Sequence, residues 1–113
     1  MLARVNRLVR GDDYRRVVRR GRKIGASHVV GYFVERGDDG PARIGFIVAK
    51  TVGNAVIRNR VRRRLKAASY GLLGVIPPGV DLVIRALPAS AGASWVTLQG
   101  EISRVVDRGE AKR

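Results

Sequence analysis

The chain has 113 residues, which is enough for one domain with a modest hydrophobic core and too few for two. Its 23 lysines and arginines outnumber its 9 aspartates and glutamates, and the formal net charge of +14 at pH 7 predicts a polyanionic partner. There is no cysteine, which excludes disulfides, thiolate zinc sites and cysteine nucleophiles. No apolar run approaches the roughly 18 residues of a membrane helix and no signal-peptide pattern is present, so we expect a soluble, cytoplasmic protein without a membrane partner.

The first third of the chain predicts an arm, a short helix and a strand. Residues 1–10 mix single cations with isolated apolar residues, which predicts an irregular basic arm. Residues 12–20 predict a helix, because two aspartates open the segment and a glycine comes directly after it. Residues 27–36 are β-branched and aromatic on both faces, which predicts a strand buried on both sides, and residues 23–25 are consistent with a short edge strand before it.

Two further strands are predicted on either side of a basic helix. A Gly-Asp-Asp-Gly-Pro turn at 37–41 connects the first strand to residues 42–50, and we interpret these two strands as a hairpin. Residues 80–87 alternate apolar side chains after a Pro-Pro-Gly loop, which predicts the last strand. Because a helix separates residues 42–50 from residues 80–87, these two strands can lie parallel in one sheet.

The C-terminal segment predicts a last helix. Ser94 can cap its start, and apolar residues then recur at the spacing of a core-facing stripe. Trp95, next to the cap, is interpreted as a packing residue, and residues 109–113 are expected to fray. The predicted fold is α+β: a single domain, residues 1–113, in which three helices pack on a small mixed β-sheet as a two-layer sandwich in the order α-β-β-β-α-β-α.

The segment from residue 50 to residue 66 carries the strongest functional signal. From residue 55 to residue 66 it contains no acid, and its cations are Arg58, Arg60, Arg62, Arg63, Arg64 and Lys66. The same helix keeps an apolar stripe, formed by Ile57, Val61, Leu65, Ala68 and Leu72. The alternative for a basic run is a solvated charged face, but the stripe predicts a helix docked on the core. The side opposite the stripe carries Asn59, Arg63 and Lys66, so the outward face is cationic.

Local signals mark both ends of this helix. Gly53 lets the chain turn and Asn54 can cap the first turn, whose N–H groups add positive potential beside the cations. Such a terminus suits phosphate, and arginine is preferred over lysine where planar contacts to phosphate or guanine are needed. The helix is expected to end near Gly71 or Gly74, because glycine permits a left-handed cap and Pro77 forbids continuation.

The residues from 53 to 66, Gly-Asn-Ala-Val-Ile-Arg-Asn-Arg-Val-Arg-Arg-Arg-Leu-Lys, closely resemble the Arg-Asn-Arg signature of the protein subunit of bacterial ribonuclease P. The resemblance covers essentially the whole chain. It has two departures: Ala49-Lys50-Thr51 replaces the usual Ser-Lys-Lys, which removes one cation, and Ala67 replaces an acidic or amide residue. The resemblance implies the same order of elements, with a left-handed crossover through the basic helix.

The resemblance also implies a function and its site residues. Members of the family remove the 5′ leader from precursor tRNA, with the chemistry in the RNA subunit and its magnesium ions, so neither a catalytic residue nor a metal site is expected in this chain. The residues implied to contact the RNA subunit are Lys50, Asn54, Arg58, Asn59, Arg60 and Arg63. Those implied to line a cleft for the leader are Tyr14, Val30, Tyr32, Arg62 and Lys66. The expected partners are therefore the catalytic RNA and precursor tRNA, and not DNA.

The two tyrosines of the implied cleft have a second interpretation. An aromatic residue on a helix or strand face is commonly part of the core, whereas RNA-binding sheets stack unpaired bases on exposed aromatics. Both interpretations stay open for Tyr14 and Tyr32. Val18 stands where the family often has a second aromatic, which leaves the number of stacked bases open.

Other candidate residues and functions have weaker support. His28 is the single histidine and lacks a triad partner or a second metal ligand, so we interpret it as a strand-end residue. Paired aspartates at 12–13 and 38–39 are possible magnesium ligands, but a helix start and a Gly-Pro turn already use them. A ribosomal protein or RNA chaperone would share the charge and the fold but not the Arg-Asn-Arg register. An independent nuclease is disfavoured by the lone histidine.

Overall fold

The computed structural model describes residues 3–111 of the chain. The α-helices in this part of the chain are α1, Gly11–Arg20; α2, Ala55–Tyr70; and α3, Trp95–Ala111. The strands of its one mixed sheet are β1, Arg22–Gly25; β2, Val29–Glu35; β3, Arg43–Ile47; and β4, Val80–Ala86. The predicted α+β class and the order α-β-β-β-α-β-α are confirmed.

The strands lie side by side in the order β1-β2-β4-β3. β2 pairs with β1 and β4 in antiparallel directions, and β3 pairs with β4 in parallel, as predicted for the two strands that flank the basic helix. The predicted hairpin is wrong, because β4 lies between β2 and β3. A position between two strands suits β4, because every residue of β4 except Arg85 is buried. The turn at 37–41 reverses the chain, but turn chemistry does not select the neighbouring strand.

The loop between β2 and β3 spans the start of β4 instead of closing a hairpin. The Arg36 N–H donates to the Gly79 carbonyl oxygen and the Gly79 N–H donates to the Gly40 carbonyl oxygen, both at 2.7 Å. Gly79 has a φ of 80°, and a Cβ at this position would lie 2.2 Å from the carbonyl oxygen of Asp38. Only glycine both adopts this positive φ readily and leaves room for the Asp38 carbonyl oxygen. The β2–β3 loop can therefore lie directly against the backbone before β4.

The sheet is covered on both faces. Helices α2 and α3 pack on one face, where fully buried side chains include Ile44, Leu65, Leu82, Ile84, Leu98 and Ile102. The predicted stripe of α2 is confirmed, since Val61, Leu65 and Ala68 are buried and Ile57 and Leu72 are partly buried. α1 lies against the opposite face, where the buried cluster is Leu8, Val17, Val30, Tyr32 and Val83. α1 therefore adds a cover on the second face of the predicted sandwich.

The N-terminal segment, predicted as an irregular arm, is docked on the sheet. Arg4–Asn6 form a short 3₁₀ helix, and Arg7 makes a parallel bridge to Ile44 at the outer edge of β3. The Leu8 N–H donates to the Ile44 carbonyl oxygen at 3.0 Å, and the Leu8 side chain is buried. The segment is thus held by one buried apolar side chain, by the free edge of β3 and by a hydrogen bond from the Asn6 side chain to the Ala42 carbonyl oxygen at 2.8 Å.

The C-terminal helix packs against the sheet up to Gly109. α3 extends through Ala111, and the expected fraying of residues 109–113 stays a prediction. Gly109 is buried against Phe33, and a Cβ on Gly109 would lie 2.5 Å from the phenylalanine ring. Gly109 is therefore a contact point between α3 and β2. Residues 1–2 and 112–113 of the predicted arm and tail lie outside the described part of the chain.

A buried carboxylate ties α1 to the sheet. Asp81 on β4 has no exposed surface, and it accepts a hydrogen bond from Arg16 of α1 at 2.8 Å and one from Arg36 at 2.7 Å. Arg43 of β3 donates two more, both at 2.8 Å. Burial alone raises the pKa of Asp81, but the hydrogen bonds from the three arginines outweigh it and hold this pKa below its ordinary value. No local sequence pattern predicts this cluster, because its three arginines are far from Asp81 along the chain.

Candidate nucleic-acid interface

Local contacts fix where α2 begins and ends. The Asn54 side chain accepts a hydrogen bond from the Ile57 N–H at 3.0 Å, which confirms the predicted cap. A Cβ on Gly53 would lie 2.8 Å from the Ile57 side chain, so glycine permits the approach. The helix ends before Gly71 as predicted, but Gly71 has a φ of −69°, and the predicted left-handed cap is wrong. The chain continues into a 3₁₀ turn, Leu73–Val75, which needs no left-handed residue.

The outward face of α2 is cationic and has no acidic partner within residues 3–109. Its exposed residues include Asn59, Arg60, Arg63 and Lys66, and its half-buried cations are Arg58, Arg62 and Arg64. Among the described residues, no carboxylate forms a salt bridge with a cation of α2. The arginines that do pair with aspartates are Arg15, Arg16, Arg36 and Arg43. Because like charges on one helix face repel each other, a bound polyanion would stabilise this face.

The structure brings together the six residues implied to contact the RNA subunit. Lys50 is exposed in the short 3₁₀ helix Lys50–Val52, which leads directly to the cap of α2. Arg58 is half-buried, and its Nε atom has no hydrogen-bond partner. Arg60 donates to the Ala91 carbonyl oxygen at 3.3 Å. The set therefore occupies one continuous surface that includes the N-terminal half of α2.

A cleft of about 380 Å³ lies between α1, α2 and the N-terminal segment. Of the five residues implied for the leader, the structure places Tyr14, Arg62 and Lys66 along it. Its other lining residues are Arg7, Leu8, Val9, Ile44 and Phe46. The Arg62 guanidinium is oriented by the Asn59 side chain at 3.0 Å. Arg7 was missed as a lining residue because its place depends on the docking of the arm.

Tyr14 joins three parts of the cleft wall. Its hydroxyl donates to the Leu8 carbonyl oxygen at 3.1 Å and accepts from the Phe46 N–H at 3.3 Å. Its ring lies over Gly45, where an added Cβ would be 2.6 Å from the ring and the hydroxyl. Burial raises the pKa of the Tyr14 phenol, and the hydrogen bond from Phe46 offsets this only in part. Tyr14 therefore remains a neutral hydrogen-bonding group that positions the N-terminal segment against β3.

Val30 and Tyr32 do not line this cleft. Both belong to the buried cluster beneath α1, and each keeps only 5% of its surface exposed. The Arg85 guanidinium lies 5.7 Å from the centre of the Tyr32 ring. In this structure Tyr32 packs as a core residue, and its assignment to the leader stays a prediction.

The weaker candidates have structural partners. The His28 N–H donates to the Glu101 carboxylate at 2.7 Å, the His28 ring also hydrogen-bonds it, and Glu101 is buried. Glu101 is an acidic residue on the otherwise apolar, core-facing stripe of α3, and this is the sequence feature that could have predicted the pair.

The candidate magnesium ligands also have partners. Asp12 pairs with Arg15 and Asp38 pairs with Arg36. Hydrogen bonds from Arg36 and from a backbone N–H lower the pKa of Asp38. In residues 3–111 no cluster of three or more acidic, histidine or cysteine side chains is placed to hold a metal ion.

A cationic helix face without acidic partners, on a small α+β scaffold, is typical of a protein that binds nucleic acid. The family model for ribonuclease P matches residues 2–110. The chain is 53% identical over 108 residues to the ribonuclease P protein component of Clavibacter michiganensis, with 96% of each chain covered. It is 42% identical over 109 residues to that of Acidothermus cellulolyticus, which covers 96% of this chain and 91% of the relative. The chain belongs to the ribonuclease P protein family.

Solved structures support the fold. The Staphylococcus aureus RNase P protein mutant with defective mRNA degradation activity has a TM-score of 0.84 at 22% identity, covering 93% of this chain and 88% of that one. The RNase P protein from Thermotoga maritima has a TM-score of 0.79 at 24% identity, covering 90% and 96%. These findings favour the family over the ribosomal protein or RNA chaperone that the sequence left open. No helix in the described part of the chain is long and apolar enough to cross a membrane.

Proposed function

We propose that the chain is the protein subunit of ribonuclease P, the endoribonuclease that removes the 5′ leader from precursor tRNA. The observation that carries the proposal is the α2 face, a row of cations without acidic partners on a rigid, capped helix in a protein of this family. Helix N-termini and arginines both bind phosphate, so this face suits a folded RNA backbone. The residues proposed to contact the RNA subunit are Lys50, Asn54, Arg58, Asn59, Arg60 and Arg63.

The cleft beside α2 is proposed to receive the single-stranded leader. Arg62 and Lys66 supply positive charge at its α2 side, and the half-buried ring of Tyr14 supplies an aromatic surface. A groove that combines cations with an aromatic is the common arrangement for single-stranded nucleic acid. Val30 and Tyr32 lie beneath α1 and would contribute to the cleft indirectly, by holding this helix in place. They would contact the leader itself only after a movement of α1.

Catalysis is proposed to reside in the RNA subunit and its magnesium ions. Of the paired aspartates that were candidates for magnesium ligands, Asp12, Asp13 and Asp38 form salt bridges with arginines. Bound magnesium would supply the activated water and stabilise the leaving oxygen, as in two-metal phosphoryl hydrolysis. This chain would neutralise phosphates and hold the leader in place. We place the complex in the cytoplasm, with the catalytic RNA and precursor tRNA as its partners.

Reconstitution tests the proposal. The purified chain is combined with a bacterial ribonuclease P RNA, and precursor tRNA cleavage is measured at a magnesium concentration at which that RNA alone is inactive. We expect correct 5′ cleavage only when both subunits are present. The cations of the protein would then replace part of the screening of RNA phosphates that magnesium ions otherwise provide. The RNA-free protein should not cut at any magnesium concentration. Failure to stimulate the RNA, or cleavage by the protein alone, would overturn the proposal.

A further inference from the structure

The only tryptophan of the chain is poorly packed. Trp95, the first residue of α3, keeps 40% of its surface exposed, and Val96 beside it keeps 68%. The prediction that Trp95 serves packing is therefore incomplete. An indole is among the largest apolar surfaces that a side chain can offer, and leaving it in water forfeits the gain of burial. Its exposed face is available to a partner.

The backbone around Trp95 is held in place. The Ser94 hydroxyl accepts a hydrogen bond from the Thr97 N–H at 3.1 Å, and the Ser94 carbonyl accepts one from the Leu98 N–H at 3.0 Å. Ala93, directly before the cap, is buried. The indole thus projects from a fixed helix start, which lowers the entropy that a binding partner must remove.

Two arginines of α2 are attached to the segment that leads to Trp95. Arg64 donates to the Ala93 carbonyl oxygen at 2.7 Å, and Arg60 donates to the Ala91 carbonyl oxygen at 3.3 Å. Each guanidinium has five donor hydrogens, so most of them remain available to phosphate oxygens. Neither arginine has an acidic partner in the described residues, and the first turn of α3 contains no acid.

We infer that Trp95 is a stacking site for an unpaired nucleotide of the RNA subunit, with Arg60 and Arg64 on the adjacent phosphates. An exposed aromatic beside cations is the arrangement that binds unstacked bases, whereas a base inside a helix is already stacked on both faces. The RNA subunit is the occupant because Arg60 belongs to both surfaces, which makes the Trp95 site continuous with the proposed α2 interface. This inference rests on the proposed function and extends the RNA-binding surface from α2 to the start of α3.

Tryptophan emission reports the contact directly, since Trp95 is the single emitter of its kind in the chain. Titration with ribonuclease P RNA should quench the emission and protect the indole from acrylamide, because a stacked base covers the ring. Precursor tRNA added to the free protein should do neither. Quenching by precursor tRNA but not by the RNA subunit would overturn the choice of partner, and an unchanged indole at saturating RNA would overturn the site.

Variants test the energetic role. Trp95→Ala should weaken binding to the RNA subunit roughly 5- to 150-fold, the range for losing one base–aromatic stack, while Trp95→Phe should keep most of the affinity. Val75→Ala, at another exposed apolar side chain, is the matched control and should bind normally. Melting curves of each variant verify that the fold is intact. Normal binding by a folded Trp95→Ala, while Arg63→Ala binds weakly, would refute this site and leave the proposed function standing. Normal binding by both would refute the α2 interface as well.

Discussion

The Asp81 cluster gives the sharpest test of the stability argument. Asp81→Asn keeps the size of the side chain but removes the charge that three arginines share. Breaking a buried ion pair typically costs about 3–5 kcal/mol. The three arginine side chains remain 11–31% exposed, so water can replace part of the lost contacts, and we expect the lower end, about 3 kcal/mol. With an unfolding entropy of about 2.1 cal/mol/K per residue, a chain of 113 residues should melt about 13 °C lower.

The pH dependence provides a second signature of the same cluster. Because the pKa of Asp81 is lowered in the folded protein, its ionised form stabilises the fold above the unfolded pKa of about 3.9, and this contribution is lost as the pH falls through the folded pKa. The gap in unfolding free energy between wild type and Asp81→Asn should therefore be largest above about pH 4 and narrow below it.

Urea unfolding at several pH values measures this gap. Asp107→Asn, which makes the same change of charge at an exposed position of α3, is the control and should stay within about 0.5 kcal/mol of wild type. The reasoning is refuted if Asp81→Asn is as stable as this control at pH 7, or if the gap between wild type and Asp81→Asn widens on acidification.

Two further predictions concern the aromatic residues beneath and beside the cleft. Tyr32→Ala should lower the unfolding free energy by roughly 3–5 kcal/mol, because the ring is buried; a stable variant with a selective loss of affinity for precursor over mature tRNA would instead place Tyr32 in the leader cleft. Gly45→Ala should displace the Tyr14 ring, costing roughly 1–3 kcal/mol and weakening precursor binding by the holoenzyme. Melting curves and precursor affinity measure both, and unchanged values for Gly45→Ala would show that Tyr14 adapts freely.

Sequence periodicity was sufficient to predict the helices and strands, but not which strands lie next to each other in the sheet. The stripe of α2 is a local pattern, and it appears in the structure as predicted. Strand order depends instead on pairings between residues far apart in sequence. The pattern of β2 showed that it is internal, yet nothing in the turn after it indicated that β4 would separate it from β3. The docking of the arm likewise depends on the free edge of β3, which no local pattern reveals.

Part of the candidate site could likewise be predicted from the sequence, and the rest depends on tertiary packing. The cationic face of α2 follows from helix geometry and one stripe, so its residues could be chosen from the sequence. Exposure of an aromatic depends on tertiary packing, and the sequence left Tyr32 open and assigned Trp95 to packing. The arginines that surround Asp81 come from α1, β3 and the end of β2, so only the assembled fold brings them together.

The salt dependence of binding tests most directly whether the α2 face binds the RNA subunit. Arg63 is exposed and points away from the core, and its side chain forms no hydrogen bond among the described residues, so Arg63→Ala should leave the fold intact. Filter binding to a ribonuclease P RNA across a salt series should show weaker affinity and a log–log slope reduced by about one. Arg108→Ala, an exposed cation of α3 beside Gly25, should keep both the wild-type affinity and the slope. If Arg63→Ala matches wild type in both, the RNA does not bind the α2 face.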